Sequence, residues 1–361
     1  MKPPFRADQV GSLLRPKELA EARAKFKKNE ITATALETIE DRSINDAIAK
    51  QESIGLESIT DGEFRRDWWH LDFMARLDGV TSVVNPGPKF GGTEEQPPIP
   101  SVTGKVGCSK PIMVDDFAFL KITTSKTAKF TIPSPAMLHL RGGRGSISKK
   151  VYPDLKEFWA DTSTAWRKAI HHLADAGCTY LQLDDVSFSY LCDPKIQETA
   201  RNNGDDPAKL PRTYADATTN ALKNRPAGMT VTMHTCRGNF KSSWVASGGY
   251  ETVAEAMFSS DVDAFFMEFD DERSGGFEPL RYLPKNKKVV LGLVTTKIGQ
   301  LETKDFLIRK IKEAEKFVPL ENLCLSPQCG FSSTHHGNAL SFDEQWKKLE
   351  RVVEVSREVW G

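Results

Sequence analysis

Short runs of β-branched and aromatic residues recur along this chain, separated by longer stretches in which apolar positions return every three or four residues. The short runs read as strands: FRADQV (5–10), LESIT (56–60), FLKIT with AKFTI (119–123 and 128–132), TYLQL (179–183), MTVTM (229–233), DAFFM (263–267), KVVLGL (288–293) and ENLCL (321–325). The longer stretches read as helices over 16–54, 153–177, 213–224, 250–259, 304–317 and 343–358. Strand followed by helix, repeated, is the pattern of βα units around a parallel sheet. With FLKIT and AKFTI sharing one unit the count is about eight, which predicts an α/β fold of the (β/α)8 TIM barrel type, one domain over 1–361.

One segment breaks the rhythm. Residues 81–112 include NPGPKFGGTEEQPPIP, rich in Pro and Gly and without period. It is too long for a simple connector, so an insertion is expected there, a β-hairpin flap or excursion over the barrel mouth.

Barrel active sites are built where strands end at their carboxyl termini. In chain order those ends offer Gly11-Ser12, Asp61-Gly62-Glu63, Pro133-Ser134-Pro135, Asp184-Asp185, His234-x-Cys236, Glu268, Thr295-Thr296-Lys297 and Cys329-Gly330. Nearly all are polar or turn-forming, which a purely structural rim would not need.

Four of these residues carry a specific chemistry. His234 and Cys236 are two apart, so on an extended segment both side chains leave the same face and can bind one ion. Glu268 and Cys329 follow later strands and complete a set of two thiols, an imidazole and a carboxylate. Soft sulfur with borderline nitrogen suits Zn2+ better than the oxygen shells of Ca2+ or Mg2+. Two thiolates and a carboxylate around Zn2+ leave a formal charge of about −1, which disfavours hydroxide formation and favours holding an incoming thiol as a thiolate. A zinc finger is excluded by spacing, since no paired CxxC or HxxxH elements lie close together.

Composition narrows the setting. Lys plus Arg and Asp plus Glu number 49 each, so the chain lacks the electrostatic footprint of a nucleic-acid or acidic-membrane binder. Six Cys (108, 178, 192, 236, 324, 329) are too sparse for a disulfide scaffold and fit a reducing compartment. The first residues, MKPPFRADQVGSLLRP, lack the apolar core of a signal peptide, so a cytoplasmic protein is expected. A homo-oligomer is expected from general frequency alone. A second Gly-rich stretch, LRGGRGSISKK (140–150), offers backbone amides and Arg141 or Arg144 to an anion, without the spacing of a P-loop.

The motifs VGS (10–12), DGEFRRD (61–67), QLDD (182–185) and the His-x-Cys, Glu and Pro-x-Cys-Gly zinc set resemble the catalytic domain of cobalamin-independent methionine synthase and its short relatives, across nearly the whole chain. The resemblance implies a zinc-containing (β/α)8 barrel that moves a methyl group from a folate to homocysteine sulfur. It implies His234, Cys236, Glu268 and Cys329 as metal ligands. It implies Ser12, with the backbone of Val10 and Gly11, as the holder of the amino acid carboxylate, and Glu63 and Asp184 as the partners of its ammonium group. Where the family carries a proton-donating His, this chain has Lys297, and His335 and His336 beyond the last zinc ligand are the other candidates for that role. The Trp expected against a pterin is missing from SPAMLHLRGG, and the acid six positions beyond Asp184 is Tyr190. Trp68, Trp69 and His70 are local additions directly after DGEFRRD.

Other readings use the same ligands. The donor can be a methyl corrinoid protein, or the electrophile an epoxide with coenzyme M as the thiol. A non-catalytic zinc-binding barrel would need only the metal shell. The metal-free uroporphyrinogen decarboxylase type of barrel would have no use for the His, Cys, Glu, Cys set.

Overall fold

The computed structural model describes residues 2–83, 98–239 and 241–361. Nine strands are present among them: β1 (Ser58–Ile59), β2 (Asp78–Val83), β3 (Ile99–Gly107), β4 (Thr127–Pro133), β5 (Tyr180–Asp185), β6 (Thr230–Thr235), β7 (Ala264–Glu268), β8 (Lys288–Val294) and β9 (Leu323–Pro327). Seven of them form one parallel sheet in the order β1-β4-β5-β6-β7-β8-β9. Their residues are almost all buried, as expected of strands covered on both faces by helices and barrel interior.

The sheet curls into a TIM barrel, and its eighth position is filled by the N-terminal segment. FRADQV does not form a regular strand there. It makes a parallel bridge at Ala7 to Leu325, with Asp8 N donating to Leu325 O at 3.0 Å and Leu325 N to Arg6 O at 2.9 Å. On its other side Gln9 Nε2 donates to Ser58 O at 3.1 Å, and Leu13 N to Gly62 O at 3.1 Å. The seam between β9 and β1 is therefore closed irregularly, by backbone bonds to Leu325 and Gly62 and by the Gln9 side chain on β1.

Asp8 is the hub of that closure. Its fully buried carboxylate accepts from Lys129 Nζ (3.2 Å), Ser58 Oγ (2.7 Å), Tyr180 Oη (2.8 Å), Phe5 N (3.1 Å) and Gln9 N (2.8 Å). Lys129 also bonds the Gln9 carbonyl and lies 3.9 Å from the Phe266 ring centre. Burial pulls the Lys129 ammonium below its ordinary range, with Asp8 opposing. An ion pair in such a place is tolerable only because every lone pair and proton is used.

The predicted 16–54 helix is two helices, Lys17–Lys27 and Ala33–Ser53. Asn29 takes a positive φ of 59°, which few side chains other than Asn accept readily, and Thr32 then caps the second helix by accepting from Ala35 N at 3.2 Å. FLKIT is the end of a helix, Val114–Thr123, and not a strand. Phe117 and Leu120, three apart, are its buried face. Pro194–Asn202 is a further helix, with Asp193 as cap and Pro194 at the first position. The 250–259 stretch is a 3-10 turn followed by the short helix Ala254–Phe258. The last helix, Phe342–Trp360, opens with a complete capping box between Ser341 and Glu344.

The insertion is a two-stranded antiparallel hairpin of β2 with β3, starting at Asp78 rather than 81. Ser148 N donates to Val102 O at 2.9 Å, fastening the hairpin to the loop after β4. Most of the Pro- and Gly-rich run that suggested a flap (84–97) lies outside the described residues. No helix among the described residues is long and apolar enough to cross a membrane.

Removing the hub carboxylate isolates a buried cation. Asp8→Ala is expected to lower the stability to urea by about 3–5 kcal/mol, the usual cost of breaking one side of a buried pair. Equilibrium unfolding followed by far-UV circular dichroism measures it.

Candidate metal centre and substrate pocket

Parallel register fixes where the four ligand-type residues fall. Asp184 on β5 pairs with His234 on β6, and Glu268 ends β7 opposite Gly292 of β8. Cys236 follows β6 with its amide on Asp185 O (2.7 Å), and Cys329 follows β9 where Gln328 N donates to Val294 O (2.8 Å). The carboxyl ends of β6, β7 and β9 thus carry all four, with β8 between the last two. Their ligand atoms lie within 4.8 Å of one another, and all four residues are buried.

These atoms lack the partners that burial demands. The two sulfurs are 3.4 Å apart. Both His234 ring nitrogens and Glu268 Oε2 have no hydrogen-bond partner among the described residues, while Glu268 Oε1 accepts only from Arg237 N at 3.2 Å. The hydrogen bond from Cys236 holds the Cys329 thiol well below its ordinary range, and the same bond together with burial pushes Cys236 up. Burial, then the Cys329 charge, raises the Glu268 carboxyl to about 7. A cluster of acceptor atoms with so few donors is an unfavourable interior unless a cation joins it, and this ligand set suits Zn2+.

Gly330 explains why the last ligand can sit so close to the N-terminal segment. A Cβ there would lie 1.9 Å from Ser12 Oγ. Phe331 N donates to Ser12 O (2.9 Å), and Ser332 N to Ser12 Oγ (3.4 Å). Asn239 ties the two ligand loops together by donating from Nδ2 to Gly330 O (2.9 Å) and Ser333 Oγ (3.2 Å).

A pocket opens directly onto the cluster. Val10, Ser12, Glu63 and Asp184 line it together with His234, Cys236 and Cys329. Gly11 (φ +146°) passes so close that an added Cβ would meet Thr131 and Glu63. Glu63 itself has a positive φ of 59°, held by Asp61 Oδ1 accepting from Glu63 N at 2.9 Å. A non-glycine residue in that region costs of order 1–3 kcal/mol, tolerated where the surroundings over-determine it. Thr131 Oγ1 donates to Glu63 Oε1 (3.1 Å), Arg66 stands 3.8 Å from Oε2, and Oε2 has no hydrogen bond among the described residues. Asp184 Oδ1 accepts from Gln182 Nε2 at 2.7 Å. Burial first, then the Glu63 charge, raises Asp184 to about 7, and burial raises Glu63 against the pull of Arg66. Two carboxyls that cannot both ionise comfortably await a cation.

The three proton-donor candidates lie farther out. Lys297 is buried, with Nζ 3.4 Å from Ser243 O, and its charge is felt by Cys329, Cys236 and Glu268. His335 and His336 do not line the pocket. They stack on each other at 3.9 Å between centroids and meet Trp68 edge-on at 5.6 and 6.4 Å. Trp68, Trp69 and His70 do line it, as do Arg141 and Tyr190. Of the two anion-binding arginines expected in LRGGRG, Arg144 is instead committed to the carbonyls of Ile147 (2.9 Å) and Tyr152 (2.6 Å). Thr131, Asn239 and Tyr250, which receives the Glu268 amide at 3.2 Å, were not visible as site residues. Only Asn239, three positions beyond Cys236, had a sequence cue.

Gly330→Ala is expected to weaken metal binding about 10- to 100-fold, the range for losing an outer support of a metal site, measured by chelator competition. Asp184 holds a proton in the folded state up to about pH 7. Its contribution to stability is therefore full below its unfolded value near 4 and is lost as pH rises through about 7. In urea unfolding across that window, Asp184→Asn is expected to flatten the fall in stability with rising pH.

Comparison with known proteins agrees with this geometry. Residues 5–357 match the family described as the cobalamin-independent synthase catalytic domain. The uncharacterised protein YxjH of Bacillus subtilis is 46% identical over 363 residues, covering 99% of this chain and 96% of its own. A provisionally named vitamin-B12-independent methionine synthase from Listeria monocytogenes is 42% identical with a TM-score of 0.81, over 100% of this chain and 99% of that one. A B12-independent methionine synthase from Shewanella sp. W3-18-1, solved with selenomethionine, shares the fold with a TM-score of 0.74 at 20% identity, over 98% of this chain and 97% of that one. The chain belongs to the cobalamin-independent methionine synthase catalytic-domain family.

Proposed function

We propose that this protein is a zinc-dependent S-methyltransferase whose acceptor is homocysteine or a closely related small amino thiol. The observation that carries the reading is the sharing of one pocket by two unlike sites: four buried ligand atoms within 4.8 Å of one another, and the Glu63–Asp184 pair. A thiol reacts as its thiolate, and at neutral pH a free thiol of pKa about 8.5 is mostly protonated. His234, Cys236, Glu268 and Cys329 would hold Zn2+, which would supply the charge that favours the thiolate.

The chain's own residues do the rest. Glu63 and Asp184 bind the acceptor's ammonium group, and the Val10-Gly11-Ser12 segment takes its carboxylate, which fixes the sulfur relative to the cluster. The sulfur lone pair forms the new S–CH3 bond while the bond from methyl to its leaving atom breaks, and that atom keeps the electron pair. A proton must reach the leaving atom, the role assigned to Lys297, His335 or His336. Burial of the pocket excludes water and strengthens each of these interactions. A non-catalytic zinc barrel would leave the carboxylate pair without purpose.

One zinc per chain is expected by elemental analysis, and much less in Cys329→Ser. Calorimetric titration with L-homocysteine is expected to release a proton, and Glu63→Gln or Asp184→Asn to weaken binding about 10- to 100-fold, the worth of a charge-assisted hydrogen bond. Zinc without homocysteine binding would discard this acceptor, and protein that takes up no metal on reconstitution would discard the mechanism.

A further inference from the structure

The acceptor reading leaves one polar patch of the pocket without a task. His70 is 1% exposed and lines the pocket, yet neither ring nitrogen has a hydrogen-bond partner among the described residues. Burial, then the Arg141 charge, pushes this imidazole well below its ordinary range, so it stays neutral with one N–H to give. Leaving such a group unmet is unfavourable, and a ligand that meets it recovers the loss.

Arg141 adjoins it. The loop after β4 is locked by its other side chains: His139 Nδ1 is 3.0 Å from Tyr214 Oη, Arg144 bonds two carbonyls, and Ser146 Oγ donates to Gly143 O at 3.0 Å. Arg141 projects from that rigid loop into the pocket lining, and its Nε has no partner among the described residues. Its charge and a side-chain hydrogen bond from it reach Tyr190, whose hydroxyl burial raises to about 12 and which therefore keeps its own proton to donate. Of the carboxylates in this lining, Asp185 is already spent: it accepts from Ser187 N (2.6 Å), Ser187 Oγ (2.7 Å), Phe188 N (3.2 Å) and the Ser134 hydroxyl.

We propose that His70, Arg141 and Tyr190 form an oxyanion subsite that recognises a carboxylate or phosphate carried by the methyl donor. The assignment to the donor rests on the acceptor reading above, in which Ser12, Glu63 and Asp184 already match both charged ends of the amino thiol. A guanidinium, a neutral N–H and a phenol O–H form a patch of donors with one net positive charge, complementary to one oxyanion. Trp68 and Trp69 line the same pocket and give the remainder of such a donor an apolar wall.

The test is calorimetry on the metal-loaded protein with methyl phosphate, acetate and L-homocysteine as separate probes. One or both anions are expected to bind, the tighter naming the oxyanion the subsite prefers. Arg141→Gln is expected to weaken that binding about tenfold or more while L-homocysteine affinity changes less than about twofold, and Arg141→Lys to restore it in part. Tyr190→Phe is the second variant, expected to weaken the anion alone, and circular dichroism verifies that each variant is folded. The subsite is overturned if neither anion binds, if anion affinity ignores Arg141→Gln, or if a chelator abolishes it, since the anion then sits on the metal. It is also overturned if Arg141→Gln weakens L-homocysteine as much as the anion, because Arg141 then holds the acceptor. If L-homocysteine fails to bind while an Arg141-dependent anion does, the acceptor reading falls and the subsite stands.

Discussion

The buried carboxylate of Asp8 is the interaction on which the rest of this barrel depends. It sits where the first and last units of the sheet must meet, and it receives groups from the N-terminal segment, β1, β4 and β5. A regular strand would have closed the same seam with backbone hydrogen bonds alone. Here side chains take over much of that work, so the chain leaving the seam is free to make the tight passage of Val10, Gly11 and Ser12 past Glu63 and Gly330. The geometry of the pocket is thus inherited from an ion pair some residues below it. Such a pair contributes little net stability, and its value lies in fixing one arrangement of the strands that surround it.

The pocket above is organised by incomplete hydrogen bonding. Cys236, Cys329, His234 and Glu268 crowd together with few donors, and Glu63 with Asp184 repeats the imbalance nearby. Each group has been desolvated without full compensation, which is the reverse of how a stable core is built. The surrounding barrel carries that cost because its own strands are almost wholly buried and rest on a large apolar core. The barrel here is a rigid apolar frame that holds polar groups in need of ligands.

Much of this was legible in the sequence, for reasons that can be named. The central strands are continuous apolar runs because both faces are covered, and such runs survive any uncertainty about neighbours. The candidate metal ligands stood out because thiols, imidazole and carboxylate directly followed those runs. FRADQV misled because its polar residues bond to distant strands rather than along its own length, and FLKIT because a short apolar run has no period to distinguish strand from helix. Thr131, Asn239 and Tyr250 look ordinary in sequence and acquire their roles only through tertiary contact. His70 and Arg141 were visible as residues of the right kind, but not as neighbours, since 71 positions separate them.

The seam has a consequence for how the protein comes into being. Residues 6–12 are made long before their hydrogen-bond partners at Leu325, Phe331 and Ser332, with 320 positions between Ser12 and Ser332. Until those later residues are made the barrel cannot close, Ser12 has no wall to rest against, and the candidate metal shell lacks Cys329. Contacts spanning so much of the chain form slowly. During that interval the nascent chain exposes apolar strands and a partial set of metal-binding groups, so its safe assembly calls for protection from both aggregation and adventitious metal.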